Sequence, residues 1–346
     1  MFVGSACVSS AQEVRIGVFG LFHPHELVVR PASDSALVVK AGEQTFVVEK
    51  SSGTDEVLVS VSDPVTRVWT REGDVQSKSL RVTSRSNGAG DFILLIPGKI
   101  SRRYHGTLSV ERSADSLQAV VTMDLETAVA SIVAAESAPD APVEALKAQA
   151  IVARSYLVAA KGRHPTFDFC DTTHCQFLRN PPPSDTTMAR AVLETRGLVL
   201  IYDAEPIAPM YTRSCGGRTL TPSDVNLPRA DYPYYSVACK YCRKHPAPWQ
   251  STITLEEAAD LQPGNESARL HIDRLLGWST VPSNHFTMQR QSDRVVLQGV
   301  GKGHGIGLCQ MGASAMAREG ATFLQILSHY YPNTSVAQMV SKYVMR

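Results

Sequence analysis

Three groups of residues in this sequence have the types and spacing to do chemistry. The first is a single carboxyl. Glu136 lies seven residues after Val129, four after Ile132 and three after Val133, in the run Leu125-Glu126-Thr127-Ala128-Val129-Ala130-Ser131-Ile132-Val133-Ala134-Ala135-Glu136. Apolar residues at that spacing mark one face of a helix. The spacing therefore predicts a carboxylate on the apolar face, at the C-terminal end. Burial disfavours the ionised form, and so does the negative end of a helix dipole. A carboxyl kept protonated near neutral pH can give a proton to a leaving oxygen. The competing reading is a helix-terminal glutamate that simply reaches solvent.

The second group is His164, Cys170, His174 and Cys175, two histidines and two cysteines in one short stretch. Sulfur and imidazole nitrogen are the donors zinc prefers, although the spacing is not that of a standard zinc finger. A Cys170–Cys175 disulfide with incidental histidines is the alternative. A further cluster, Cys239-Lys240-Tyr241-Cys242 with His245 nearby, reads as structural. It suits a zinc ion with Cys215 as fourth ligand, or a disulfide.

The third group is Gly299-Val300-Gly301-Lys302-Gly303-His304-Gly305-Ile306-Gly307-Leu308-Cys309-Gln310. Alternate glycines permit close backbone approach to a ligand, and His304 in such a tract is hard to explain as core. No Gly-Lys-Ser/Thr closes it and no βαβ unit encloses it. It is neither a phosphate loop nor a dinucleotide fingerprint, and no nucleotide cofactor is expected.

The elements that must hold these groups are of two kinds. Up to about residue 120, short apolar or alternating segments recur: Val14–Val18, Thr45–Val48, Val57–Val61, Val65–Trp69 and Leu117–Val121. Ser/Gly/Asp clusters separate several of them, which reads as β-structure. The pattern then turns helical. Asp124 is placed to cap the helix that carries Glu136. A second helix starts near Pro142 and runs to about Leu157. It is small and apolar nearly all round, so it is buried, and Arg154 within it needs a buried partner or a polar cleft. Thr322-Phe323-Leu324-Gln325 is a capping box opening a helix with Phe323, Ile326, Leu327 and Tyr330 on one face. The expected fold class is α+β: a β-rich N-terminal part over 13–115, then a mixed helix and sheet catalytic domain over 116–346.

The 346 residues, 43% of them hydrophobic, allow a sizeable core, and the length favours more than one domain. A net charge of +1 supplies no field for nucleic acid, so no nucleic-acid partner is expected. No apolar run approaches the ~18–20 residues of a membrane-spanning helix. Residues 1–12 carry small residues suited to a signal cleavage site. They lack a basic start and a full apolar stretch, and read as a signal remnant or a flexible start. Cys7 lacks the leucine three residues before it that a lipidation site would show. The seven cysteines are too few for a disulfide-built scaffold.

Taken in order, the motifs resemble the stage II sporulation protein D family, whose domain is shared with amidase enhancers. Tyr104-His105-Gly106 and Leu125-Glu126 lead in. Glu136-Ser137-Ala138-Pro139 and Glu144-Ala145-Leu146-Lys147-Ala148-Gln149-Ala150 form the most characteristic block. Asp171-Thr172-Thr173-His174-Cys175-Gln176, Ser214-Cys215-Gly216-Gly217-Arg218-Thr219, and Gly303-His304-Gly305-Ile306-Gly307 with Gln310 and Gly312-Ala313 follow. His329-Tyr330-Tyr331-Pro332-Asn333-Thr334 closes the set. The resemblance spans residues 105 to 335. Ser137 departs from the Met or Ile usual there, and the Cys239/Cys242/His245 cluster is not general to the family.

The resemblance implies a peptidoglycan lytic transglycosylase. Such an enzyme cleaves the MurNAc–GlcNAc β-1,4 bond and leaves a 1,6-anhydro end. It implies Glu136 as the catalytic residue. It also implies zinc, in a structural or supportive role, on His164, Cys170 and Cys175, with His174 as a further ligand. One carboxyl suffices for this chemistry, whereas a glycosidase that uses water ordinarily needs two at a set separation. Among the other acids, Asp140, Asp168, Asp171 and Asp185 show no placement like that of Glu136. Gln149, Arg154, Ser214, His304 and Gln310 are expected to line the glycan cleft and to hydrogen-bond sugar hydroxyls. The expected partners are peptidoglycan glycan strands and other cell-wall hydrolases, and the expected location is extracytoplasmic. A competing function is a non-catalytic cell-wall-binding enhancer of an amidase. A third is a zinc hydrolase whose reaction His164, Cys170 and Cys175 carry.

Overall fold

Strict alternation of buried and open residues builds the first half of the chain. The computed structural model describes residues 12–32, 36–49, 55–71, 73–228 and 231–339. Residues 1–11, where the expected signal remnant and Cys7 fall, lie outside that range. The described chain is 24% helix and 38% strand, so the fold is α+β with a large sheet preceding helices and smaller sheets. It divides into two units. One holds 12–136 and 161–190, and the other holds 137–160 and 191–339.

In the first unit, eleven strands precede the first α-helix. They are β1 (Glu13–Val18), β2 (Glu26–Pro31), β3 (Leu37–Ala41), β4 (Gln44–Val48), β5 (Val57–Ser62), β6 (Val65–Thr70), β7 (Gly73–Ser77), β8 (Ser79–Ser84), β9 (Gly90–Ile96), β10 (Ile100–Ser113) and β11 (Ser116–Asp124). A twelfth, β12 (Phe169–Cys170), joins from much later in the sequence. The main path of the sheet runs β12-β1-β11-β10-β9-β2-β5-β6-β7, with β8, β3 and β4 branching from β10. β9 alternates buried and half-buried residues along its whole length, which fixes its register through the core side chains Phe92, Leu94 and Ile96. β10 pairs with β9 through its first half and with β8 through its second, so one long strand serves two parts of the sheet. The turn between β10 and β11 falls at residues 114–115.

β11 runs straight into α1 (Leu125–Glu136). Asp124 caps it: its Oδ1 accepts from the backbone N–H of Glu126 at 2.9 Å and of Thr127 at 3.4 Å. Leu125, Val129, Ile132 and Val133 are all buried, and the helix packs on β1 and β11. Burying each such side chain stabilises by roughly 1.5–3 kcal/mol.

The second unit is organised round α2 (Val143–Ala159). Pro142 stands at its N-cap. That is one position earlier than the first helical turn expected from sequence, and it leaves no helical N–H lost. α3 (Thr187–Glu194) precedes β13 (Leu198–Tyr202), β14 (Glu205–Pro206) and β15 (Tyr211–Thr212). Then come α4 (Lys240–Lys244), β16 (Pro248–Thr254), α5 (Glu266–Leu276), β17 (Phe286–Gln291) and β18 (Arg294–Val300). The chain continues through β19 (Leu308–Cys309), α6 (Gln310–Arg318), α7 (Phe323–Tyr330) and β20 (Ser335–Gln338). β14, β13 and β20 form one small sheet, β15 and β19 a parallel pair, and β16, β18 and β17 a third sheet with its own core. α2 packs against α6, α7 and β13. The capping box of Thr322 and Gln325 opens α7 as expected.

Candidate functional site

Glu136 is the last residue of α1, at the end of the buried stripe that the sequence spacing marks. Its side chain is half-buried rather than enclosed. It therefore stands at the negative end of the helix, where a carboxylate is disfavoured.

The loop of 161–175 is held to the same unit by backbone. The Asp168 N–H donates to the Arg15 carbonyl at 2.8 Å, and Phe169 and Cys170 pair with Ile16 and Gly17 of β1. This brings His164, Cys170, His174 and Cys175 together, with one donor atom from each lying within 4.8 Å of the others. His164 Nε2 is 3.4 Å from Cys175 Sγ, and His174 Nδ1 is 3.4 Å from Cys175 Sγ and 3.7 Å from Cys170 Sγ. Cys170 is held well below the ordinary thiol range, first by the Cys175 thiol that donates to it and then by Thr172 and His174. Two sulfurs and two imidazoles converging at this separation fit a tetrahedral zinc ion. Neither cysteine is in a disulfide.

Within this loop, Asp171 of the Asp171–Gln176 motif anchors a buried polar group whose partners Arg102 and Tyr104 lie far away in sequence. Asp171 is buried and accepts from Arg102 Nη1 at 2.6 Å and from the Phe19 N–H at 3.3 Å. Burial pushes its carboxyl above the usual range, and the Arg102 charge opposes that. The Tyr104 hydroxyl is buried beside Arg102 and Asp171. Burial, with Asp171 nearby, pushes it far up, so it stays a neutral donor.

The five residues expected to line a cleft all lie in the second unit. Gln149 and Gln310 are brought together. Gln310 Nε2 donates to Gln149 Oε1 at 3.3 Å, and buried Gln149 Nε2 has no partner. Ser214 is buried, with Oγ 3.5 Å from Cys242 Sγ. His304 accepts the Ile306 N–H on Nδ1 at 3.0 Å and hydrogen-bonds the Tyr211 backbone. Burial holds its pKa down, the Glu266 carboxylate opposes this, and the Arg269 charge adds to it.

Two expectations need correction. Arg154 does not face a cleft. It is fully buried, and its guanidinium donates to the carbonyls of Leu198 at 3.1 Å and of Ala150 and Val192 at 3.5 Å. It is the buried-partner alternative that holds, with backbone carbonyls as the partners. The second is the glycine tract: Gly301, Gly303, Gly305 and Gly307 approach the protein's own chain, whereas Gly299 lines an open cleft. Gly301 has φ +88°, and a Cβ there would sit 2.7 Å from the Ser214 carbonyl oxygen. Gly307, at φ +69°, would drive a Cβ into the Met210 carbonyl. The close approach is to the protein's own 210–216 segment.

Glu266, Arg269, Asp273 and Asn284 form a buried ionic network. Arg269 bridges both Glu266 oxygens at 2.7 Å and Asp273 at 2.9 Å, and Asn284 donates to Glu266 at 2.7 Å. An open cleft of about 560 Å³ adjoins it, lined in part by Asn284, His285, Phe286 and Thr287. Gly299 and Val300 of the glycine tract line that cleft, but Glu136, Gln149, Arg154, Ser214, His304, Gln310 and the His164–Cys175 ligands do not.

Residues 113–202 match the family described as stage II sporulation protein, SpoIID. That match covers 90 of the 346 residues. The matched stretch contains Glu136, Gln149, Arg154 and the His164–Cys175 loop, while Ser214, His304 and Gln310 lie beyond it. Similarity to whole proteins extends further. An uncharacterized protein of Brachyspira hyodysenteriae is 28% identical over 67% of this chain and 72% of its own length. Stage II sporulation protein D of Bacillus subtilis is 25% identical over 69% of this chain and 82% of its own. The amidase enhancer of Bacillus subtilis is 36% identical over 62 residues, 18% of this chain and 9% of that protein.

Proposed function

We propose that this protein is a peptidoglycan lytic transglycosylase that works outside the cytoplasm, with Glu136 as its acid and base. The observation that carries the reading is the position of Glu136. It ends α1, inside the matched SpoIID stretch, after a stripe of fully buried side chains. The Glu136 carboxyl protonates the glycosidic oxygen as the C1–O bond of MurNAc breaks. The sugar's own C6 hydroxyl then bonds to C1, and its proton passes to the Glu136 carboxylate. The carboxyl is restored and no water is consumed, so one acid serves twice. Gln149 is the leading candidate for contact with sugar hydroxyls, because its buried amide N–H, without a partner among the described residues, can be satisfied by a ligand oxygen.

Zinc belongs to this reading as a support. His164, Cys170, His174 and Cys175 would hold it, and the ion would lock the loop against β1. The reaction itself is assigned to Glu136 and not to the ion.

The test uses the purified protein and peptide-free glycan strands in water enriched with heavy oxygen. Products with 1,6-anhydro ends and no heavy oxygen support the reading. Labelled reducing ends contradict it. A second reading is favoured by the short match to an amidase enhancer. In that case the protein would bind cell wall and raise the rate of an added amidase while cutting no glycan itself.

A further inference from the structure

Four cysteines of the second unit meet at one buried point that the reaction above does not use. Cys215 follows β15, Cys239 and Cys242 flank and lie in α4, and Cys309 ends β19. Their sulfurs all lie within 4.8 Å of one another, and Cys242 Sγ is 3.5 Å from Cys309 Sγ. None of the four is more than 2% exposed, and all are free thiols. The sequence pairs Cys239 and Cys242 with Cys215 and offers His245 as a neighbour. The structure replaces His245 with Cys309. The His245 ring lies against Tyr241 instead, at 4.7 Å between centroids.

We propose that Cys215, Cys239, Cys242 and Cys309 bind one zinc ion as a closed tetrahedral site that pins the core of the second unit. The separations fit a single tetrahedral ion. Zinc–sulfur bonds of about 2.3 Å in a tetrahedron put the sulfurs about 3.8 Å apart. An iron–sulfur cluster spreads its cysteines wider than these four stand. Full burial leaves no open coordination position, so the site is structural and not catalytic.

The surroundings suit thiolates. Cys309 Sγ accepts the N–H of Cys215 and of Gly312, both at 3.4 Å. The Tyr330 hydroxyl donates to Cys239 Sγ at 3.6 Å, and the Ser214 hydroxyl lies 3.5 Å from Cys242 Sγ. Donors of this kind around metal-bound sulfur orient the ligands and spread their charge. Gly312 has to be glycine here, because a Cβ would lie 2.6 Å from Cys239 Sγ. Four thiolates on one divalent cation leave a net charge of −2. Arg213, Arg218, Lys240, Arg243 and Lys244 flank the cysteines in sequence and offset it. On binding, zinc replaces four thiol protons, which leave to solvent with no change of oxidation state. The ion ties ligands 67 residues apart, Cys242 and Cys309, so it removes loop entropy from the unfolded chain.

The test is made on the full chain, purified with a thiol reductant, carrying C170A/C175A so that the other cluster cannot bind. Metal analysis is expected to find about one zinc per chain. Cobalt replacement should give the intense near-ultraviolet sulfur-to-cobalt bands of a tetrahedral all-thiolate site. Adding C239A/C242A should abolish both. If that variant does not fold, cobalt titration of the parent still decides, because the band intensity per cobalt scales with the number of bound thiolates and only four give the full value. Folded chain without metal overturns the proposal, whether its four thiols alkylate freely or peptide mapping finds them in disulfides. Stoichiometric iron in place of zinc overturns it as well.

Discussion

Arg154 carries the largest fully buried side chain in the protein. Carbonyls of α2, α3 and β13 take N–H groups of this buried cation. Arg154→Met keeps the volume and strands those carbonyls. It should cost about 2–4 kcal/mol, read as a lower urea midpoint with circular dichroism unchanged below the transition. A helix that is apolar all round tells that Arg154 is buried. It does not tell whether the partner is a ligand or the chain's own backbone, and this is why the expected cleft role failed. Glu136 differs: three buried neighbours at helical spacing fix its face and its end of α1 directly from sequence. His304 and Glu266 set an acid limit. His304 is held below its ordinary value of 6.5, chiefly by burial, so the folded chain binds fewer protons there than the unfolded one. Burial alone would raise Glu266, but the hydrogen bonds and charge of Arg269 together outweigh it and hold it low. Both groups therefore favour the folded state fully above their ordinary values. The His304 share fades as pH falls below 6.5, and the Glu266 share as pH falls through its depressed folded value. Urea midpoints should decline on acidification, and His304→Gln should flatten the decline that begins near 6.5.

At the scale of elements, the tract 299–310 is held against 210–216 by glycines that leave no room for a side chain. Gly307→Ala forces a Cβ into the Met210 carbonyl at a left-handed φ and should cost at least about 2 kcal/mol, seen as loss of soluble protein or a lower melting temperature. The loop of 161–175 should respond to metal. A chelator, or Cys170→Ser, should lower the melting temperature and increase proteolysis within that loop. If chelated, still-folded protein keeps full cleavage activity, zinc chemistry is excluded as the source of the reaction. The strands β1, β4, β5, β6 and β11, the cap at Asp124 and the capping box at Thr322 are legible, because each is a local pattern of burial or hydrogen bonding. The convergence of Cys309 on Cys239 is not. No local pattern records that two segments so far apart in sequence will meet.

For the whole molecule, the α+β class follows from the change of period near residue 124, where alternation of two gives way to the helical stripe. What that change does not reveal is that residues 161–190 rejoin the first unit, with β12 running parallel to β1. Nor does it reveal that residues 248–300 fold a small sheet with a separate core. Both depend on pairings distant in sequence. The central claim is that one carboxyl, closing α1, performs the whole reaction. It is tested most directly by Glu136→Gln, an isosteric change at a half-buried helix end. The variant should keep the wild-type melting temperature within a degree or so, because the side chain keeps its size and shape. Wild-type and variant proteins are incubated with peptide-free glycan strands, and the products are identified by mass spectrometry. The account predicts 1,6-anhydro fragments from the wild type and a loss of at least about a hundredfold in the variant. Anhydro fragments released at an undiminished rate by folded Glu136→Gln protein would contradict it.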